Sequence, residues 1–164
     1  MPGHRPALGH DGTGLHERDG EAREARGLPT GYLDARPDIE AAIAFAFKRN
    51  QKKPVILLGS SYSASLALLL GIGNAKVDRV VAFSPGEYLK NVRVHERMAE
   101  MSKRVFVTSS KQEIADTRAL IRSIPKEHLT HFKPAVEGAH GARCLWSKTE
   151  GHPAYWAALE KFLA

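Results

Sequence analysis

The stretch PVILLGSSYSASLALLLG, residues 54–71, constrains the fold more than any other part of the sequence. Two apolar runs meet just after Gly59, with only a few small or polar residues between them. The first run, PVILLG, has the length of a buried strand, and the second, SYSASLALLLG, has the length of a buried helix. The stretch therefore predicts a strand that turns directly into a helix.

The sequence that follows repeats this alternation of apolar strands and helices. Predicted helices cover residues 36–50, 61–71, 91–101, 113–124 and 152–164, and predicted strands cover residues 54–59, 78–85, 104–110 and 129–136. Strands that are apolar throughout belong in a parallel sheet that helices cover on both faces. Right-handed crossovers bring the carboxyl ends of such strands to one edge, where ligands bind. The predicted fold class is α/β, with a mostly parallel sheet and helices on both faces.

Residues 1–30 differ in composition from the remainder of the chain. They hold six of the 14 glycines, and their only large aliphatic residues are Leu8, Leu15 and Leu28. Such a segment buries too little apolar surface to offset its ordering entropy, so we expect a poorly ordered tail. Residues 31–164 are expected to form one α/β domain, since a chain of 164 residues suits a single core.

The charge, the cysteine content and the apolar runs of the sequence bear on its binding partners and on the cellular compartment in which it is expected. The net charge is +6, but the basic residues are scattered apart from KRNQKK at 48–53. A solvated helix end explains that cluster, so no nucleic-acid partner is predicted. Cys144 is the only cysteine, which excludes an internal disulfide. No signal peptide and no membrane-length apolar run is visible, so the chain as written is expected in the cytoplasm, and an exported form stays open if the N-terminus is incomplete.

The tight turn between the first strand and its helix carries a pattern with chemical meaning. Its sequence GSSYS fits Gly-x-Ser-x-small, the arrangement of a nucleophile elbow. Such a turn lifts the hydroxyl of Ser61 above the sheet edge, and it needs small residues at Gly59 and Ser63 because strand and helix crowd there. The backbone N–H of Tyr62 would then face a developing oxyanion. A simple N-cap role for Ser60 or Ser61 is the alternative.

A serine hydroxyl is a poor nucleophile until a base takes its proton, so a histidine is expected at the end of a later strand. His140 meets this condition among the eight histidines, because it follows the last predicted strand and lies between Gly138 and Gly141. A short loop of small residues lets an imidazole reach over the sheet edge. A loop histidine exposed to solvent, with no catalytic role, is the alternative.

The third role is that of a carboxylate that orients the imidazole. It is expected after the strand before the last one, within TSSKQEIAD at residues 108–116. Glu113 is the favoured acid and Asp116 is the alternative, while the more usual position of the acid falls on Gln112. An acidic residue in the first turn of a helix also favours the helix dipole without any catalysis.

With these residues the chain resembles the α/β-hydrolase superfamily, nearest to its dienelactone-hydrolase-like members. The resemblance covers about residues 32–164 and is carried by PVILLGSSYSASLAL, VVAFSPGEYL, VFVTSSKQEI, GAHGARCLW and YWAALEKFL. The order serine, acid, histidine is the one expected of that arrangement. The resemblance implies Ser61 as nucleophile, His140 as general base and acid, and Glu113 as the orienting acid. It also implies hydrolysis of a small-molecule ester or lactone through an acyl-enzyme, with no metal or organic cofactor.

The chain departs from that superfamily before the elbow. Its members usually have several strands there, and a loop after one of them supplies a second oxyanion N–H. Here a glycine-rich tail and one predicted helix precede Pro54. We therefore expect the C-terminal half of the hydrolase fold, with an exposed apolar sheet edge that makes self-association plausible.

Two other functions stay open on the sequence. One is a catalytically impaired fragment or a hydrolase-like module that binds a partner without catalysis. The other is a nucleotide-binding domain, which is disfavoured because GSSYSA lacks the Gly-x-Gly-x-x-Gly pattern. Tyr62 and Tyr88 either line the substrate mouth or pack, and Trp146 either covers the imidazole or anchors its loop. Cys144 is expected to be a small buried apolar residue.

Overall fold

The computed structural model describes residues 31–164, and the predicted tail at residues 1–30 lies outside the described residues. Its α-helices, α1 to α5, span Arg36–Arg49, Tyr62–Gly71, Val94–Arg97, Ile114–Ile121 and His152–Leu163. Its strands, β1 to β4, span Val55–Ser60, Val77–Phe83, Arg104–Thr108 and Leu129–Phe132. Short 3-10 turns span Tyr32–Ala35, Met98–Glu100, Lys126–His128 and Gly141–Leu145.

The strands form one parallel sheet in the order β1-β2-β3-β4. The two central strands are buried almost throughout, from Val80 to Phe83 in β2 and from Val105 to Thr108 in β3. Strands that are apolar on both faces need cover on both faces, as the sequence predicted. The α/β fold class with a parallel sheet is confirmed.

Helices pack on both faces of the sheet and form two apolar cores. The larger core lies under α1 to α4 and includes Leu66, Val80 and Ile121. The smaller core lies under α5, where Phe106 and Phe162 pack with ring centroids 5.6 Å apart. Because side chains alternate along a strand, β2 supplies residues to both cores.

Three predicted elements are shorter than expected by at least four residues. The helix predicted at 91–101 reduces to α3 and one 3-10 turn, because Asn91 has a φ of 62° that no α-helix accommodates. The last strand ends at Phe132 because Pro134 has no N–H to offer a neighbouring strand. Helix α4 ends at Ile121 and does not reach the predicted end at Ile124, because a residue before a proline, here Pro125, is driven out of the helical region.

Strand β1 lies at the edge of the sheet. No strand within residues 31–164 pairs with its outer side. Its Ile56 and Leu58 side chains are 48% and 54% exposed, whereas Val55 and Leu57 pack against the larger core. The expected apolar edge is therefore present in the described part of the chain. Each helix of that part is too short or too polar to span a membrane.

Candidate active site

Ser61 lies between the end of β1 and the start of α2, in a strained backbone conformation. Its φ is 58° and its ψ is −128°, a region that residues other than glycine rarely occupy. Its backbone N–H donates to the Phe83 carbonyl at 2.8 Å, which fixes the turn to the neighbouring strand. Its side chain makes no capping hydrogen bond to α2, so the N-cap alternative is wrong for Ser61.

The residues around Ser61 are small because two backbones meet there. A Cβ on Gly59 would lie 2.2 Å from the Ser63 carbonyl oxygen and 2.6 Å from the Ala64 Cα. Neither atom can move without displacing the strand or the helix. Ser63 Oγ donates to the Ser60 carbonyl at 2.8 Å and accepts from the Ser60 N–H at 2.9 Å, which closes the turn.

His140 reaches Ser61 from the loop after β4. Its Nε2 lies 2.9 Å from Ser61 Oγ, and its Nδ1 hydrogen-bonds to Glu113 Oε1. With a proton on Nδ1 facing the carboxylate, Nε2 is left as the acceptor for the serine proton. The imidazole therefore links the Ser61 hydroxyl to the Glu113 carboxylate. A loop histidine exposed to solvent would make neither contact.

Two serine hydroxyls hold the His140 loop against the elbow. The N–H of Gly141 donates to Ser84 Oγ at 2.8 Å, and the N–H of Ala142 donates to Ser60 Oγ at 2.9 Å. Gly141 has a φ of 65°, and a Cβ at this position would lie 2.5 Å from Ser60 Oγ. Only glycine lets the loop pass this close to the elbow in that conformation.

Glu113 is the carboxylate that contacts His140. Its second oxygen, Oε2, accepts hydrogen bonds from Ser84 Oγ at 2.8 Å, from Ser110 Oγ at 2.7 Å and from the Ser110 N–H at 3.0 Å. Burial acts to raise the pKa of Glu113, but the hydrogen bonds from His140, Ser110 and Ser84 outweigh it and hold that pKa below its usual value. The carboxylate is thereby kept ionised and pointed at the imidazole.

The other acidic candidate and its neighbour take no part in this arrangement. Asp116 lies in the first turn of α4 with an exposed side chain, and Gln112 is also exposed. The contacts of Glu113 therefore distinguish it from the alternative acid.

Sequence reasoning missed Ser84 and Ser110. Ser84 directly follows β2, and Ser110 follows β3 by two residues; both are at least nine-tenths buried. The available signal was their position, because polar residues that follow apolar parallel strands lie at the edge where ligands bind. Which group each hydroxyl contacts depends on how neighbouring strands are registered, and no local pattern gives that.

Two tyrosines lie close to Ser61. Tyr62 is the first residue of α2, so its backbone N–H has no acceptor within the helix, and its ring stacks on Tyr32 with centroids 4.3 Å apart. The Tyr88 hydroxyl donates to the Ser84 carbonyl at 3.4 Å. Burial and the nearby Glu113 carboxylate raise the pKa of Tyr88, and a hydrogen bond with Ser61 partly offsets them.

A cleft of about 500 Å³ opens beside Glu113. Its lining includes Tyr88, Thr117 and Leu120, together with the charged or ionisable side chains of His95 and Arg122. Of the three contacting residues, Glu113 is the one that lines this cleft, so a molecule in it would lie beside that side chain. A volume of this order holds a small organic group.

Cys144 and Trp146 follow His140 closely in the sequence, but neither side chain hydrogen-bonds to Ser61, His140 or Glu113 in the described residues. Cys144 is fully buried, and burial raises its pKa to about 12, as expected of an unreactive apolar residue. Trp146 is 60% exposed. Within residues 31–164, no group of three or more His, Cys, Asp or Glu side chains is placed to hold a metal ion.

Two solved structures, both described as esterases, share the α/β fold of this chain. The Pyrococcus furiosus esterase Pf2001 aligns with a TM-score of 0.64 and 15% identity over 82% of this chain. An esterase domain from a Rhodothermus marinus protein aligns with a TM-score of 0.54 and 14% identity over 80% of this chain. The alignment spans 63% of the Pyrococcus chain and 71% of the Rhodothermus chain. No family model and no curated protein matches the sequence.

Proposed function

We propose that this chain is a serine hydrolase domain that cleaves carboxylic esters. The observation that carries the proposal is the continuous contact from Ser61 Oγ through His140 to Glu113. These three residue types, in this order of contact, activate a serine for acyl transfer on several unrelated folds. Both structural neighbours are described as esterases, which agrees with the chemistry that the contacts support.

In the first half of the proposed reaction, Ser61 Oγ attacks the ester carbonyl carbon while His140 Nε2 takes the serine proton. The carbonyl electron pair moves to oxygen, and the ionised Glu113 stabilises the imidazolium that forms. When the carbonyl re-forms, the bond to the alcohol oxygen breaks and His140 returns the proton to that oxygen. An acyl group on Ser61 and a free alcohol result.

The second half uses water in place of the alcohol. His140 takes a proton from a water molecule whose oxygen attacks the acyl carbon. The Ser61 oxygen then leaves and recovers its proton from His140, so one ester and one water give one acid and one alcohol. We propose that the Tyr62 N–H, at the start of α2, donates to the negatively charged oxygen in both halves.

The cleft beside Glu113 is the proposed site for one end of the ester. Tyr88, Thr117 and Leu120 line it, and its volume of about 500 Å³ suits a small substrate. A lactone, which the dienelactone-hydrolase-like subtype would favour, presents the same carbonyl to Ser61 and belongs to the same proposal. Short nitrophenyl esters and small lactones are therefore the first substrates to assay, with Ser61→Ala as the inactive control. Equal turnover by the two proteins would reject the assignment.

A module without catalysis is the second candidate, and the uncovered edge of β1 favours it. In the described part of the chain, one edge of the sheet is the strand that leads into Ser61, and Ile56 and Leu58 remain exposed there. A chain that had lost catalysis could keep this edge for binding. The ester assay separates the candidates, since a binding module would show no turnover that depends on Ser61.

We propose that the same edge pairs with a second copy of this chain. The N–H of Val55 donates to the Lys76 carbonyl just before β2, and the N–H of Ser61 donates to the Phe83 carbonyl at the end of β2. Alternation along β1 therefore places the N–H and C=O groups of Ile56 and Leu58 on the free side. Antiparallel pairing centred on Leu57 sets Ile56 of each copy opposite Leu58 of the other. Two apolar cross-strand pairs then form on the face that is now exposed.

Sedimentation over a range of concentrations tests this pairing. The wild-type chain is expected to form a dimer that the double variant Ile56→Lys, Leu58→Lys converts to a monomer. Phe45→Lys is the matched control, because Phe45 is also an exposed apolar residue (68% exposed) but lies on α1. A monomeric wild type at all concentrations, or a dimer that survives the double variant, would reject the pairing.

A further inference from the structure

Ser84 is not one of the three contacting residues of the site, but it hydrogen-bonds to Glu113 and to the loop that carries His140. It follows β2, is 1% exposed, and has a φ of 50°. A buried residue other than glycine in this region carries backbone strain, which persists only where surrounding contacts hold it. Its N–H donates to the Thr108 carbonyl at 2.7 Å, which fixes the backbone to β3.

The Ser84 hydroxyl is used as both donor and acceptor. It donates to Glu113 Oε2 at 2.8 Å and accepts from the Gly141 N–H at 2.8 Å. Gly141 is the residue after His140, so a single oxygen atom lies between the acid of the site and the loop of its base. A hydroxyl is suited to this place because it can donate to a carboxylate while accepting from an amide.

We propose that Ser84 is a positioning residue that couples the Glu113 carboxylate to the loop carrying His140. The proposal rests on the proposed hydrolase function for its catalytic consequence, while the coupling itself is a property of the fold. Without the hydroxyl, the carboxylate loses one donor and the Gly141 N–H loses its acceptor in one step. Both Glu113, which contacts the imidazole, and Gly141, which follows His140, then have one hydrogen bond fewer.

Ser110 provides the comparison that isolates this role. Its hydroxyl and its N–H both donate to the same oxygen, Glu113 Oε2, at 2.7 and 3.0 Å. Neither group donates a hydrogen bond to the His140 loop in the described part of the chain. Ser110→Ala therefore weakens the hold on the carboxylate and leaves the acceptor of Gly141 in place, whereas Ser84→Ala affects both.

The first measurement is amide hydrogen exchange at Gly141, which does not depend on activity. Loss of one hydrogen bond predicts that exchange at Gly141 becomes about twofold to tenfold faster in Ser84→Ala. Ser84→Gly is expected to behave alike, because it also lacks the hydroxyl although glycine tolerates the positive φ. Ser110→Ala and Thr108→Val are expected to leave this exchange at the wild-type rate.

The second measurement follows the Glu113 carboxyl by NMR as the solution is acidified, with fluorophosphonate labelling of Ser61 as a separate assay of the hydrolase function. Loss of a donor lets the pKa of Glu113 rise, so the carboxyl in Ser84→Ala and Ser110→Ala should take up its proton at a higher pH than in wild type. Thr108→Val should keep the wild-type titration curve. A role in folding alone would lower the amount of folded protein without moving this curve.

The outcomes separate the coupling from the hydrolase assignment. Exchange at Gly141 at the wild-type rate in folded Ser84→Ala would overturn the coupling. Faster exchange in Ser84→Ala together with a wild-type rate in Ser84→Gly would also overturn it, because backbone strain in the alanine variant, and not loss of the hydroxyl, would then explain the faster exchange. If Ser84→Ala fails to fold, Ser84→Gly decides. Absence of labelling in the wild-type protein would count against the hydrolase function and leave the exchange result at Gly141 standing.

Discussion

His140 Nε2 lies 2.9 Å from Ser61 Oγ, although the two residues are 79 positions apart in the sequence. The contact forms because β1 and β4 end at the same edge of a parallel sheet. It is then refined by the Gly141 and Ala142 N–H groups, which bind the hydroxyls of Ser84 and Ser60. A site at this edge therefore depends on the sheet as a whole for its coarse placement and on two serines for its final geometry.

Replacement of the acid tests whether Glu113 orients the imidazole. Glu113→Gln keeps the size of the side chain and removes its charge, so we expect the hydrolysis rate to fall by about 10²–10⁴-fold. Asp116→Asn removes a carboxylate that lines the cleft and does not contact His140, so we expect a much smaller loss. Steady-state turnover of a short ester measures both variants. A larger loss of turnover in the Asp116 variant would show that Glu113 is not the orienting acid.

Acid should remove the stability that Glu113 contributes. Hydrogen bonds hold the pKa of the folded-state carboxyl below its usual value of 4.5, so the ionised form stabilises the fold above that pH. The contribution declines as the pH falls from about 4.5 through the folded-state pKa, because the folded carboxyl must then take up a proton. Urea denaturation of wild type and Glu113→Gln at several pH values measures this. The two midpoints should approach each other on acidification, and a gap that widens would contradict the account.

The elbow should not accept a side chain at Gly59. An added Cβ would lie 2.2 Å from the Ser63 carbonyl oxygen, so Gly59→Ala is expected to lower the free energy of unfolding by about 3 kcal/mol or more. Gly73→Ala is the matched control, since it has open space around it and a φ of 63°. Its strain alone should lower stability by about 1–2 kcal/mol. Chemical denaturation compares them, and equal losses would show that crowding at the elbow is not the cause.

Much of the fold was predictable because its strongest signals are local. The run at residues 54–58 and the Gly59 that follows predict a strand and a tight turn without any knowledge of the remaining chain. Helix α3 was overestimated because the left-handed backbone of Asn91 does not show in apolar spacing. Ser84 was missed because its two partners come from other parts of the chain, and only the pairing of β2, β3 and β4 in one sheet brings them to it.

One buried hydroxyl offers a route to greater stability. Thr108 Oγ1 is buried and finds no hydrogen-bond partner within residues 31–164. Thr108→Val replaces that hydroxyl with a methyl group of similar size, so we expect the free energy of unfolding to stay equal or rise by about 1 kcal/mol. The midpoint of urea denaturation is the measurement. A clear decrease in stability would mean that the hydroxyl has a partner that the described residues do not supply.

Labelling by a fluorophosphonate, followed by mass-spectrometric location of the adduct, tests the central claim most directly. The reagent forms a covalent bond with a serine whose proton a base can take. The account predicts an adduct on Ser61 of the wild-type chain, strongly reduced in His140→Ala and unchanged in His128→Ala, which alters a histidine in the turn before β4. Folded wild-type protein without an adduct on Ser61, or equal labelling of wild type and His140→Ala, would contradict it.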